Sequence, residues 1–373
     1  MKKSIGVIVN PIAGMGGKVG LKGSDGKDIL QKAIALGATP ECPLRAKTAL
    51  SSLKTIEQSV DILTYPGEMG EEEVLEAGLS PRVIGEIVKG QTTPEDTVRA
   101  AREMAQAGVD LIYFAGGDGT ARNVLDAIGT QVPVIGIPAG CKIHSAVYAI
   151  NPKTAGDLLV QFLQGKIKGF REAEVMDIDE DAFRRGVVNA RLYGYLKIPN
   201  ERKMLQNLKS GRGLGEEAST EMISNYIADA MKPDVLYIVG PGSTTRAIMD
   251  KLELDNTLLG VDLVCNRKVV ANDVTERQIL EHLDRYPKAK IIVTIIGGQG
   301  YIFGRGNQQI SANVIRKVGK EHIIIVSTKD KILSLFGQAL LVDTGDEDTN
   351  AYLEGYYRVV VGYEEIQMFK VRS

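Results

Sequence analysis

The chain has 373 residues, with 45 Lys and Arg against 47 Asp and Glu and a formal net charge of −2. No basic stripe and no tryptophan accompany that balance, which argues against a nucleic-acid partner. Hydrophobic residues make up 44% of the chain without a run long enough to span a bilayer, so two globular domains in the cytoplasm are expected, with no membrane partner.

Residues 5–9 read as a buried strand, and their apolar stretch is too short for a signal peptide. The strand runs into Asn10-Pro11-Ile12-Ala13-Gly14-Met15-Gly16-Gly17-Lys18, a glycine-rich loop. A helix is expected over residues 26–36, then short strands over 61–65 and 82–88. Thr93 and Pro94 open a helix reaching residue 107, with the threonine as cap and the proline in the first turn. A strand over 110–114 ends in Ala115-Gly116-Gly117-Asp118-Gly119-Thr120, and a helix over 120–128 follows. A strand over 132–137 stops at Pro138-Ala139-Gly140, and Asn151-Pro152 opens another helix to 163. This alternation predicts an α/β fold, a mostly parallel sheet with helices on both faces.

The pattern shifts after residue 168. Strands over 173–179 and 185–198 suggest a hairpin. Beyond it, strands at 235–239, 258–262, 268–270, 290–296 and 323–326 alternate with helices at 216–231, after 245, from 276 and at 311–317. The expected division is 1–168, an α/β nucleotide- and phosphate-binding domain; 169–350, a mixed α+β substrate domain; and 351–373, a strand returning to an earlier sheet.

The glycines around Asp118 can adopt positive φ and leave backbone amides open to phosphate oxygens at the end of a strand. Thr120 can cap the next helix or touch phosphate. A bare carboxylate repels phosphate, so Asp118 is expected to bind magnesium or to accept a hydroxyl proton in phosphoryl transfer. The alternative is a tight turn in which Asp118 only bonds to neighbouring amides. The loop lacks the Gly-Lys-Ser/Thr ending of a P-loop, and Gly14-Met15-Gly16-Gly17 lacks the dinucleotide spacing. Lys142 offers a point charge for phosphate, and His144 can donate to phosphate, cap a helix or bind ribose. In the second half, Gly242, Ser243, Thr244 and Arg246 form a further candidate anion site, and Gly304-Arg305-Gly306-Asn307 another; in both, the glycines can instead serve turns alone. Cys42, Cys141 and Cys265 are too widely spaced for a disulfide framework or a zinc motif, and Cys141 reads as a packed residue with no base beside it.

Asn10-Pro11 with glycines after the first strand, followed by Gly116-Gly117-Asp118-Gly119-Thr120, resembles the NAD kinase and diacylglycerol kinase superfamily. Residues 10–17, 20–26 and 137–146 resemble its branch of ATP-NAD kinases and acetoin-catabolism X proteins, and residues 240–245 and 298–309 extend the likeness into the second half. The resemblance implies an NAD kinase-like two-domain architecture with a Rossmann-like first sheet and a site between the domains. It implies that Asp118 approaches the adenosine 2′-hydroxyl of NAD as base or orienting group. Gly116, Gly117, Gly119 and Thr120 would line the phosphate path, and Asn10 would sit by the nucleotide phosphates with Gly14, Gly16 and Gly17. Magnesium would bridge the phosphates of ATP or polyphosphate, its protein ligands unassigned, and a homo-oligomer is implied. NAD kinases carry an Asn-Glu pair in their second domain; the nearest match here, Asn189-Ala190-Arg191, has no glutamate. Asp177, Asp179, Glu180 and Asp181 either replace that acid or form a solvated hairpin. The expected function is phosphorylation of NAD to NADP. The rivals are a kinase of another small-molecule or lipid hydroxyl, and a nucleotide sensor of acetoin catabolism without turnover.

Overall fold

Apolar, β-branched runs closed by glycine or proline build the first sheet. Its strands are β1 (Lys3–Val9), β2 (Val60–Thr64), β3 (Pro81–Val83), β4 (Leu111–Gly116) and β5 (Val134–Pro138). All pair in parallel, in the order β3-β2-β1-β4-β5. The computed structural model describes every residue except 1, 18, 22–26, 141–142, 179–189, 202–203, 206–215 and 336. β4 is buried along its whole length, as a central parallel strand covered on both faces must be. The strand order reverses between β1 and β4, whose register pairs Val9 with Ala115. Asn10 and Gly116 therefore leave the sheet side by side, at the position where open α/β sheets bind ligands.

Among the described residues, six α-helices accompany this sheet: α1 (Lys27–Ala35), α2 (Cys42–Ser51), α3 (Glu71–Glu76), α4 (Pro94–Gln106), α5 (Asp118–Ile128) and α6 (Pro152–Leu163). Thr93 and Asp96 form a capping box at α4, and the Asn151 side chain accepts from Thr154 N at 2.7 Å to cap α6. Sequence patterning missed α2 and α3. The buried stripe of α2 is Cys42, Ala46, Ala49 and Leu50, mostly small residues that carry little hydrophobic contrast. The strand expected over 82–88 ends at Val83, where pairing with β2 stops.

Two further strands, β6 (Phe170–Ile178) and β7 (Ala190–Pro199), pair antiparallel as the expected hairpin. They pack with the first unit, which comprises Met1–Met15, Gly23–Phe183 and Val188–Leu208. By contact the hairpin groups with the first unit, whereas patterning registers the change from parallel to antiparallel strands at residue 168. Ala173, Val175, Leu196 and Ile198 are its buried residues and belong to the first core.

The second unit holds helix α7 (Glu216–Ala230), β8 (Leu236–Val239), α8 (Ser243–Lys251), β9 (Asp262–Cys265), β10 (Lys268–Ala271), α9 (Glu276–Arg285) and β11 (Ala289–Thr294). It continues with β12 (Tyr301–Phe303), α10 (Ala312–Val318), β13 (Ile323–Val326), α11 (Lys329–Leu333), β14 (Leu340–Val342), α12 (Glu347–Leu353), β15 (Gly355–Gly362) and β16 (Glu365–Arg372). One nine-stranded sheet runs β10-β9-β8-β11-β13-β15-β16-β14-β12. β8-β11-β13-β15 are parallel, β9 and β10 add an antiparallel edge, and the antiparallel β15–β16 hairpin joins them to a second parallel set, β16-β14-β12. The C-terminal segment ends α12 and forms the β15–β16 hairpin, whose β15 pairs in parallel with the earlier strand β13. Among the described residues, no helix is long and apolar enough to cross a membrane.

Candidate active site

The site grows from the switch between β1 and β4. Asn10 N donates to Ala115 O at 3.0 Å, so the chain leaves β1 held against β4. The Asn10 amide then donates to Thr120 Oγ1 at 3.0 Å, while its Oδ1 accepts from Ile12 N at 3.3 Å. One side chain thus couples the glycine-rich loop to the first turn of α5. That helix begins at Asp118, not at Thr120 as expected, with Gly117 as its cap. The first amides of α5 have no intrahelical acceptor and form a natural seat for phosphate oxygens.

The glycines here serve close approach more than positive φ. Gly116 is in β4, Gly117 is extended at φ −117°, and Gly119 lies inside α5. A Cβ on Gly116 would stand 2.3 Å from Thr120 Oγ1, and one on Gly140 would stand 2.8 Å from the Gly117 Cα. The left-handed residue is Gly14, at φ +80°, where a Cβ would lie 2.1 Å from the Ala139 carbonyl oxygen. Gly14→Ala is expected to cost about 2 kcal/mol or more, from backbone strain plus the clash. Urea unfolding measures that loss; a change below a few tenths would mean the loop relocates freely.

Asp118 is 6% exposed and is held by the loop after β5. His144 N donates to its Oδ2 at 2.7 Å, Ser145 N to its Oδ1 at 3.0 Å, and His144 Nδ1 lies 3.3 Å from Oδ2. The partner amides are 26 and 27 residues away, so this is a tertiary clamp and not the local turn considered from sequence. Ser145 extends it: its hydroxyl donates to Met176 O at 2.9 Å and accepts from Met176 N at 3.0 Å in β6. Tyr148 donates its hydroxyl to Gly117 O. Ser145 and Tyr148 were not distinguished in the sequence, because nothing local marks them as partners of residues so far away. A carboxylate oxygen has two lone pairs, so Asp118 retains acceptor capacity beyond the clamp.

Asp177 is 7% exposed and pairs at 2.8 Å with the more exposed Arg122, so the acidic run opens on a half-buried ion pair. Asp179, Glu180, Asp181 and Asn189 lie outside the described residues, as do Cys141 and Lys142. Burial pushes the Cys42 thiol well above its ordinary range, which makes it a poor nucleophile.

The other expected site residues divide between places. Gly16 and Gly17 group with the second unit, where Gly17 lies against the Gln308 side chain. Gly242 caps α8 and Ser243 and Thr244 are its first two residues, so the helix begins before residue 245, earlier than the sequence reading placed it. Arg246 instead lies along that helix, its Nε 3.4 Å from Asp250 Oδ2 on a half-exposed face. The Gly304 loop is a turn closed on itself: Gly304 N donates to Asn307 Oδ1 at 3.0 Å, and Asn307 Nδ2 to Ile302 O at 2.9 Å. Among the described residues, no group of three or more His, Cys, Asp or Glu is arranged to hold a metal ion.

Residues 5–167 match the ATP-NAD kinase N-terminal domain, and residues 233–371 match the ATP-NAD kinase C-terminal domain. NAD kinase superfamily domains are present in both halves of the chain. Asn10, Asp118 and His144 fall within the N-terminal domain, and the Gly242 loop within the C-terminal one. No curated protein matched the chain. Among solved structures, a diacylglycerol kinase from Bacillus anthracis str. Sterne is 16% identical, with a TM-score of 0.26 over 48% of this chain and 47% of that one. The matched region thus spans about half of that kinase. A UDP-GlcNAc 2-epimerase from Neisseria meningitidis is 10% identical, with a TM-score of 0.26 over 92% of this chain and 78% of that one.

Proposed function

We propose that this protein is a phosphotransferase that phosphorylates the adenosine 2′-hydroxyl of NAD, using ATP or polyphosphate, to give NADP. The observation that carries this reading is the position of Asp118. It stands at the reversal of strand order, on the first residue of a helix, inside an ATP-NAD kinase N-terminal domain. The amides of α5 would bind phosphoryl oxygens, and Asn10 and Thr120 would hold the rim of that cradle. Asp118 would take the proton of the acceptor hydroxyl as that oxygen bonds to the transferred phosphorus. The bond from phosphorus to the bridging oxygen breaks, and ADP or a shortened polyphosphate leaves with the electron pair. His144, with Nδ1 beside Oδ2, would orient the carboxylate.

Magnesium would be carried mainly on the donor phosphates, needing only one or two protein carboxylates. Asp118 would be available to hold it, and the ion would neutralise phosphate charge.

One observation favours a second reading. Both oxygens of Asp118 already accept backbone amides, which suits a structural clamp in a protein that binds nucleotide without turnover. Such a sensor would match the acetoin-catabolism branch. Chromatography of reactions with magnesium, ATP or polyphosphate, and NAD or other hydroxyl acceptors separates the readings. NADP is the expected product. Nucleotide binding with no product supports the sensor, and a different phosphorylated product reassigns the acceptor.

A further inference from the structure

The second unit repeats, at its own parallel centre, the arrangement of a helix start above strand ends. β8 ends in Gly240-Pro241-Gly242 and turns into α8, with Gly242 at φ +138°. Thr244, fully buried at the second position of α8, accepts a hydrogen bond from Lys331 Nζ at 2.8 Å. Lys331 comes from α11, which follows β13, two strands away across the sheet. Between them β11 ends on Thr294, which is 8% exposed and whose Oγ1 is buried without a hydrogen-bond partner among the described residues. The Thr294 side chain lies directly against Gly242: a Cβ there would stand 2.5 Å from Thr294 Cγ2. Ser327 and Thr328, both fully buried, close the third strand end. The unsatisfied Thr294 hydroxyl lies in the core beside the first turn of a helix, and the part-buried Lys331 ammonium reaches the same turn. An oxyanion there would satisfy that hydroxyl.

We infer that the start of α8, with Lys331 and Thr294, is a second phosphoryl-binding site, built from residues of the second unit alone. The first amides of α8 would cradle two oxygens, the Lys331 ammonium would balance their charge, and Thr294 would donate its hydroxyl. Arg246 has no part in it, because its guanidinium lies beside Asp250. This site stands independently of the kinase reading, since it involves no residue of the Asp118 loop.

Calorimetric titration of the full-length protein with inorganic pyrophosphate, and separately with ADP, tests the site. Lys331→Met is expected to weaken binding by about tenfold or more, and Thr294→Val by about threefold. Lys331→Arg should retain most of the affinity, since it keeps the charge. Tungstate soaked into crystals of the full chain should lie between the first turn of α8 and residue 331. Tighter binding of ADP than of pyrophosphate identifies a nucleotide as the phosphate source; the reverse identifies an inorganic polyphosphate. Absence of pyrophosphate and ADP binding, or binding unchanged in both Lys331→Met and Thr294→Val, overturns the inference. Failure of NADP formation would instead bear on the Asp118 site.

Discussion

Asp118→Asn is expected to lower kcat for NADP formation by on the order of 10²–10⁴, because an amide can accept a hydrogen bond but cannot take the acceptor proton. The same substitution disturbs the clamp. One carboxylate oxygen becomes an NH₂ group facing either His144 N or Ser145 N, which leaves a buried donor opposed by a donor. That loss costs about 1–3 kcal/mol. Activity alone therefore does not isolate the chemistry. Ser145→Ala provides the comparison, since it removes the two hydrogen bonds with Met176 but keeps the carboxylate and both amides around it. The expected result is a similar fall in thermal midpoint for both variants, with kcat collapsing only in Asp118→Asn. Equal losses of kcat would make Asp118 a clamp and nothing more, and would favour the sensor reading.

Glu73→Gln is expected to stabilise the protein at alkaline pH and to flatten its stability profile. Glu73 sits in the first turn of α3, is 4% exposed, and has one carboxylate oxygen without a hydrogen-bond partner. Burial, reinforced by Glu72, Glu76 and Glu68, pushes its pKa up from 4.5 to about 7. The folded state consequently holds a proton that the unfolded chain releases near pH 4.5. Stability falls as pH rises from there to about 7, and is level above it. At about 1.4 kcal/mol per pH unit, the cost of ionising Glu73 reaches on the order of 3 kcal/mol at pH 8. Denaturant unfolding of the two proteins from pH 5 to pH 8 should show curves close together at the acid end and separated by roughly that amount at the alkaline end. Parallel curves across the range would place the buried charge elsewhere.

Much of the first sheet could be read from the chain. Ile5 to Val9 and Leu111 to Ala115 are strands because uninterrupted apolar, β-branched runs of that length suit burial on both faces. Thr93, Asn151, Thr275 and Ser311 mark helix starts because a short polar side chain before an amphipathic segment satisfies local amides. Where the signal failed, the residues were small or the boundary depended on pairing. The stripe of α2 is built mainly on alanine, and β9 begins at Asp262 instead of ending there because its register with β8 pairs Val239 with Asp262.

The sequence by itself determined the local elements and marked Asp118 as an unusual carboxylate, since glycine loops and caps act between near neighbours along the chain. Only the tertiary structure decided what those groups meet. The amides of His144 and Ser145 reach Asp118, Arg122 neutralises Asp177, and Lys331 arrives at Thr244 from 87 residues away. It also decided that Arg246 lies along its own helix and that Glu73 is buried. The physical reason is the same in each case. Backbone propensity is a local quantity, whereas burial and electrostatic pairing depend on which strand ends the sheet order places together.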